Sequence, residues 1–182
     1  MAIFTSILPV PASFGAPKSN PLEISPWLRA VILAAATGMS LAVTIALFRG
    51  LTGIAPDHPN IRHFAIALHV ATVIPAIPLG GYLLLARKGT ARHKQLGKIW
   101  VGLMVVTALS ALFIRTGGSF SFIHIFVPLT LWSSYKLVAT ARRGDMKAHR
   151  WEILTLYLAA LMIPGIFSMA LPGRLMNVWL FG

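Results

Sequence analysis

Two stretches of the chain, ARKGTARHKQ at residues 86–95 and ARRGDMKAHR at 141–150, repeat one pattern: Ala-Arg, a second basic residue, a glycine, then a histidine followed by a cation. Each is flanked on both sides by long apolar runs. A short basic segment with a glycine between two such runs reads as the turn of a helical hairpin. Sliding the sequence against itself by 55 residues superposes His69 on His124, Arg87 on Arg142, Lys88 on Arg143 and Gly89 on Gly144. With one extra residue in the second loop, His93 answers to His149.

The surroundings decide what the hairpins are built for. Of 182 residues, 57% are hydrophobic and 11% charged, at a mean hydropathy of +0.77. That leaves too little polar surface to coat a soluble globule. Apolar runs long enough for a hydrocarbon core of about 30 Å lie at 27–48, 64–86, 99–115, 120–140 and 153–172. Pro75, Pro78, Gly80, Gly81, Pro128 and Pro164 fall inside them. Membrane helices tolerate such residues where neighbours re-satisfy the backbone. No alternating pattern of a membrane β-barrel is present. Residues 1–26, with five prolines and no basic start, read as an irregular or interfacial leader and not as a signal peptide. The chain has no cysteine, which excludes disulfides, thiolate metal sites and cysteine catalysis.

The net charge of +12 is concentrated in two connections. Arg87, Lys88, Arg92, Lys94 and Lys98 follow the second run, and Lys136, Arg142, Arg143, Lys147 and Arg150 surround the turn into the fifth. The opposite connections hold Arg49, Arg62 and Arg115. This is the positive-inside bias. It predicts a multi-pass protein of a bacterial inner membrane with its amino terminus in the cytoplasm and its carboxyl terminus in the periplasm. The cations are expected to meet anionic lipid head groups, not nucleic acid.

The expected fold is therefore an all-α integral membrane protein of five transmembrane helices. The last four are predicted to form a pseudo-two-fold bundle of two tandem helical hairpins. The chain divides into the leader 1–26, a first transmembrane helix and outer loop at 27–61, and a repeated four-helix core with a short tail at 62–182. In both copies the first histidine stands 18 residues before the first arginine of the loop, which at 1.5 Å per residue is about 27 Å. His69 and His124 are thus expected near the outer edge of the hydrocarbon, and His93 and His149 at the inner interface.

The segments ARHKQLGKIW and RRGDMKAHRW resemble an uncharacterised family of predicted bacterial membrane proteins, a domain of unknown function. The similarity covers about 62–172. It implies a membrane bundle and names no substrate. Where that family's pattern leads one to expect a methionine after the second histidine-basic pair, this chain has Glu152. A more distant resemblance is to the di-haem b-type membrane cytochromes of the ascorbate-reducing class, whose four-helix core carries one histidine per helix, paired first with third and second with fourth. Carried over by position, the resemblance implies haem b between His69 and His124, and a second pair in His93 and His149. Two imidazoles on facing helices are the axial donor set that haem iron takes. The inner pair opens its helices and so lies at the surface of the bilayer.

The bland alternative for His69 and His124 is a pair of neutral imidazoles hydrogen-bonded to backbone or to Ser and Thr. A zinc site with His63 lacks a converging third ligand, because His63 projects some 120° away from His69 on a helix. Ser-His nucleophilic catalysis lacks an acid partner, and no hydrolase or transferase signature is present. Glu23, Asp57, Asp145 and Glu152, the only acids, sit in tails, loops or helix ends, which disfavours a proton-coupled transporter. Tryptophans and tyrosines are expected as interfacial anchors. The Ala34/Gly38 pair on the first run is expected to pack within the chain. The leading expectation is a small electron-transfer protein with haem between His69 and His124, exchanging with quinone or a periplasmic partner. The alternative is a non-catalytic accessory subunit of a larger membrane complex.

Overall fold

A computed structural model describes residues 24–58, 63–115 and 119–182. The expected leader lies outside the described residues apart from its last three. Among the described residues there are six helices. They are α1 (Pro26–Leu51), α2 (Phe64–Leu85), α3 (Ala91–Ala111), α4 (Phe122–Arg143), α5 (Met146–Ala170) and α6 (Leu175–Phe181). The first turn of α4, Phe122–Ile125, is a 3-10 turn, and Thr155–Met162 within α5 has the wider π-helical repeat. Pro164 follows that stretch and lacks the N–H that an α-helix would donate to Ala160.

Local chemistry sets the helix ends. The Thr90 hydroxyl accepts from the His93 N–H at 3.1 Å to start α3, and the Asp145 carboxylate accepts from the Ala148 N–H at 3.0 Å to start α5. Both are side-chain caps on otherwise orphaned donors. Gly144, at φ +74°, ends α4 in the left-handed conformation that glycine adopts without strain.

The chain is a multi-pass membrane protein, but the expected five transmembrane helices are corrected to four. Among the described residues, α1, α2, α4 and α5 are long and apolar enough to cross a bilayer. The third expected span, 99–115, fails because helix and apolar run do not coincide. α3 begins at Ala91 among Arg92, Lys94 and Lys98 and ends at Ala111. Its uncharged part, Ile99 to Ala111, rises only about 20 Å, against a core of about 30 Å, although α3 still runs antiparallel along α2 and returns the chain from the basic loop to the end where His69 meets Thr107. The pseudo-two-fold bundle falls with that count. α3 and α5, the expected counterparts, differ in length, polarity and helical repeat. His69 lies inside α2, whereas His124 lies in the 3-10 turn before the α-helical part of α4.

α2 packs on α3, α3 on α4 and α4 on α5, and the π-helical part of α5 closes back onto α2. α1 lies against α2, and α6 packs on α1 and the end of α5. Trp100 and Tyr157 fill the centre. Both are fully buried, and neither is the interfacial anchor expected from its sequence position. The Trp100 indole donates to the Ala76 carbonyl at 2.8 Å, and the Tyr157 hydroxyl to the Ile77 carbonyl at 3.2 Å. Both rings stand against Gly80, where an added Cβ would come within 2.8 Å of either. Gly81 likewise allows Ala36 of α1 to approach. Ala34 and Gly38 do not pack within the chain as expected: both are exposed, and nothing described lies within 4 Å of a Cβ built at Gly38.

The two basic loops meet at one end of the bundle. Lys88 feels the charges of Arg29 and Arg150, and His93 those of His149 and Lys88. The other end carries Arg49, whose guanidinium donates to the Trp179 carbonyl at 2.9 Å and so ties α6 to α1.

Candidate functional site

At the end of the bundle opposite the basic loops lies a cavity of about 220 Å³. All six helices reach it: Met39 from α1, His69 from α2, Thr107 from α3, His124 from α4, Pro164 from α5 and Met176 from α6. Its walls are largely apolar, with polar side chains among them that include His58, His69, His124, Thr107, Ser121 and Arg174. The structure thus brings the outer histidine pair to one cavity.

His69 is held from its far side. Its Nδ1 lies 2.9 Å from the Thr107 carbonyl and 3.3 Å from the Ser110 hydroxyl. A carbonyl oxygen only accepts, so Nδ1 carries the hydrogen and the Nε2 of the neutral ring keeps its lone pair. Ser110 also donates to the Thr107 carbonyl, at 2.9 Å, and Thr107 donates its hydroxyl to Thr72 at 2.8 Å. These bonds fix the ring between α2 and α3. A histidine whose Nδ1–H is engaged by a carbonyl, leaving Nε2 for a metal, is the usual arrangement behind metal-ligating imidazoles.

His124 is held by its own turn. Its Nδ1 lies 3.0 Å from both the N–H and the carbonyl of Ser121. The turn therefore supports either tautomer: Nδ1 accepting from the N–H, or Nδ1–H donating to the carbonyl. Pro128 cannot donate to the His124 carbonyl, and the Phe126 N–H is directed there instead, which tightens the turn. The Nε2 of His124 is buried and has no partner among the described residues. A buried polar atom without a partner costs roughly 1–3 kcal/mol. The edge of Phe120 packs on the same ring at 4.9 Å, and Arg115 covers Phe120.

The inner pair lies at the opposite end and does not line the cavity. His149 Nδ1–H donates to the Leu137 carbonyl at 3.1 Å, while His93 Nδ1 is buried without a partner among the described residues. Burial, and then the charges of His149 and Lys88, hold the His93 imidazole below its ordinary value. His63 is the exposed N-cap residue of α2 and takes no part in the cavity. Among the described residues no three His, Asp or Glu side chains converge.

Sequence reasoning missed two residues at the cavity. Arg174 lines it and donates to the Ser121 hydroxyl at 3.4 Å, which puts a cation beside the His124 turn. His58 lines it too, with Nε2 at 3.3 Å from the Gly173 carbonyl. Both lie outside the matched positions of the repeat, and only the folding of α6 back onto α1 brings them there. Glu152 was also misjudged. It is 4% exposed and ion-paired with Lys136, between α5 and α4.

The cavity thus holds two histidines on different helices, one with Nδ1 tied to a carbonyl and one with a buried Nε2 that has no partner among the described residues, in largely apolar walls with an arginine alongside. The volume is below the roughly 300–1,000 Å³ of ordinary cofactor pockets. Met39, Met104, Met169 and Met176 line it, however, and thioether side chains re-pack readily around an occupant. Comparison with protein-family models, with curated proteins and with solved structures finds no match to this chain.

Proposed function

We propose that this protein is a small inner-membrane electron carrier of the b-type cytochrome kind, with haem b held between His69 and His124. The observation that carries the reading is the buried, unpartnered Nε2 of His124 in the same cavity as a His69 whose Nδ1 is already engaged. A haem so held would supply one-electron chemistry between quinol and a periplasmic partner. His69 and His124 would hold the group, the apolar walls would exclude water from it, and Arg174, which lines the same cavity, would offer a cation to a carboxylate. The basic end is assigned to the cytoplasm, so the cavity opens towards the periplasmic half of the bilayer. Because the chain has no cysteine, single substitutions Arg143→Cys and Asp57→Cys report the orientation by labelling of intact cells. Labelling of Arg143→Cys and protection of Asp57→Cys would reverse it.

The test of function is the absorption spectrum of the purified protein. A Soret band with sharp bands on reduction supports the reading, and its loss in both His69→Ala and His124→Ala assigns the ligands. A colourless, folded parent prepared from haem-replete cells overturns it. The second reading, an accessory subunit, has the exposed Ala34/Gly38 face of α1 in its favour. It predicts a colourless chain that co-purifies in fixed stoichiometry with another membrane protein.

A further inference from the structure

We infer that residues 171–174, which connect α5 to α6, form a movable strap across the outer mouth of the histidine cavity, latched by His58 and Arg174, and that a ligand enters from the outer face when both latches release. The strap bears on access to the cavity, and it rests on the reading above only in taking that cavity for a ligand's chamber.

Connecting segments close the outer end of the cavity. His58 follows α1, Ser121 precedes α4, and Gly173 and Arg174 precede α6; all four line the space. Gly173 lines the cavity and is exposed on its other side, so the wall there is a single backbone thick. The deep end is built instead from buried helical side chains such as Ile77, Met104 and Leu161.

The strap is anchored firmly at both ends. On the α5 side the Leu171 N–H donates to the Phe167 carbonyl at 3.0 Å. On the α6 side the Asn177 amide donates to the Met169 carbonyl at 2.7 Å, Arg49 donates to the Trp179 carbonyl at 2.9 Å, and the Trp179 ring lies against Gly50. Between these anchors three bonds are long. His58 Nε2–H donates to the Gly173 carbonyl at 3.3 Å, the Arg174 guanidinium to the Ser121 hydroxyl at 3.4 Å, and the Arg174 N–H to the Leu171 carbonyl at 3.4 Å. All three exceed the usual upper limit of about 3.2 Å. A segment held in this way opens locally while the bundle around it stays folded.

The Arg174 latch also selects what may enter. Ser121 takes the Arg174 bond on its hydroxyl and holds His124 Nδ1 through its backbone N–H and carbonyl. Release of Arg174 therefore leaves the His124 turn in place and frees a guanidinium at the mouth. An apolar ligand with an acidic group meets that cation as it enters, and the charge-assisted bond to it is stronger than the one to the hydroxyl.

The experiment uses the absence of native cysteine. Ala108→Cys places one thiol on the cavity wall, at a position 4% exposed. Its reaction with methyl methanethiosulfonate, a small neutral reagent, is timed in the full chain in neutral detergent, purified from cells starved of haem so that no cofactor shields the wall. The thiol should react far more slowly than that of Asp57→Cys, which lies at an exposed position. Adding His58→Leu or Arg174→Met removes one latch and keeps bulk at the mouth. Each should speed the reaction about three- to tenfold, the effect of one hydrogen bond on opening, and the two together more than either alone. His149→Leu removes a comparable bond, to the Leu137 carbonyl at the opposite end, and should change the rate less than about twofold, because openings there are separate from those of the strap. If Ala108→Cys does not fold, Thr130→Cys, also buried on the wall, replaces it. A double-latch variant that reacts no faster than the parent, a wall thiol as fast as that of Asp57→Cys, or equal acceleration by His149→Leu overturns the strap. The readout needs no chromophore and so is separate from the absorption test. Latch-controlled labelling stands even if the haem-replete parent is colourless, and ungated labelling alongside a haem-bearing parent sinks the strap alone.

Discussion

The imidazole of His69 and the carbonyl of Thr107 lie 2.9 Å apart across 38 residues of sequence, joining α2 to α3 at the wall of the cavity. Structure and ligation make different demands on that ring: the fold needs Nδ1–H, and a metal needs Nε2. His69→Gln keeps an amide donor within reach of the carbonyl and offers no imidazole lone pair. It should melt close to the parent and lack the bound chromophore. His69→Ala should cost only about 1 kcal/mol, because Ser110 still donates to the Thr107 carbonyl. Absorption and melting measured on one preparation separate the two roles. A Gln variant that keeps its Soret band shows that His69 is not a ligand.

Gly80 is a tight point at the centre of the bundle. A Cβ there would stand 2.6 Å from Tyr157 Cδ2 and 2.7 Å from Trp100 Nε1. Neither ring is free to yield, because each is buried and bonded to an α2 carbonyl. Gly80→Ala should therefore destabilise by about 1–3 kcal/mol. Gly38→Ala, which meets nothing within 4 Å, should be neutral or slightly stabilising through helix propensity. Thermal unfolding in detergent compares them, and equal melting temperatures would contradict the packing at Gly80.

The apolar runs made the membrane helices legible, because hydropathy over twenty residues depends little on tertiary detail. α3 was misjudged because its cap, Thr90, lies inside the basic loop. The helix thereby spends its first two turns on cations and retains too short an apolar length. Trp100 and Tyr157 were misread for a related reason: near a run's end an aromatic resembles a belt residue, and only the gap over Gly80 shows otherwise. The outer histidines were legible from the repeat alone. Their supports were not, since Thr107, Ser121 and Arg174 carry no pattern and join the site only when α3, α4 and the segment before α6 close around it. Glu152 read as a helix-end acid in the sequence, and its partner Lys136 could not be seen there because it lies on another helix.

The pH dependence of stability should carry the mark of His93. Its folded-state value is depressed from the ordinary 6.5, chiefly by burial and then by the charges of His149 and Lys88. The unfolded imidazole takes up a proton in a range where the folded one does not. The unfolded state thus binds more protons, and stability falls as pH is lowered through the unfolded value towards the folded one. Melting temperatures between about pH 7.5 and about pH 5.5 should decline in the parent and decline less in His93→Gln. Parallel slopes for the two proteins would remove His93 as the cause.

The ion pair between Lys136 and Glu152 offers the sharpest separation of scaffold from site. Glu152 is 4% exposed, whereas the lysine side chain is 43% exposed, so water reaches one partner and not the other. Lys136→Met strands a carboxylate in the bundle and should cost about 3 kcal/mol, the low end for a broken buried pair because of that one-sided exposure. Glu152→Met strands no buried charge, since the lysine can turn towards water, and should cost less. The double variant Lys136→Met/Glu152→Met replaces the pair by apolar groups and should recover most of what Lys136→Met loses. A double-mutant cycle by thermal unfolding measures the coupling. If the two single losses simply add, the carboxylate and the ammonium do not stabilise one another, and the burial of Glu152 needs another cause. Spectra of any bound chromophore should be unchanged throughout, because the pair shares no lining residue with the histidine cavity.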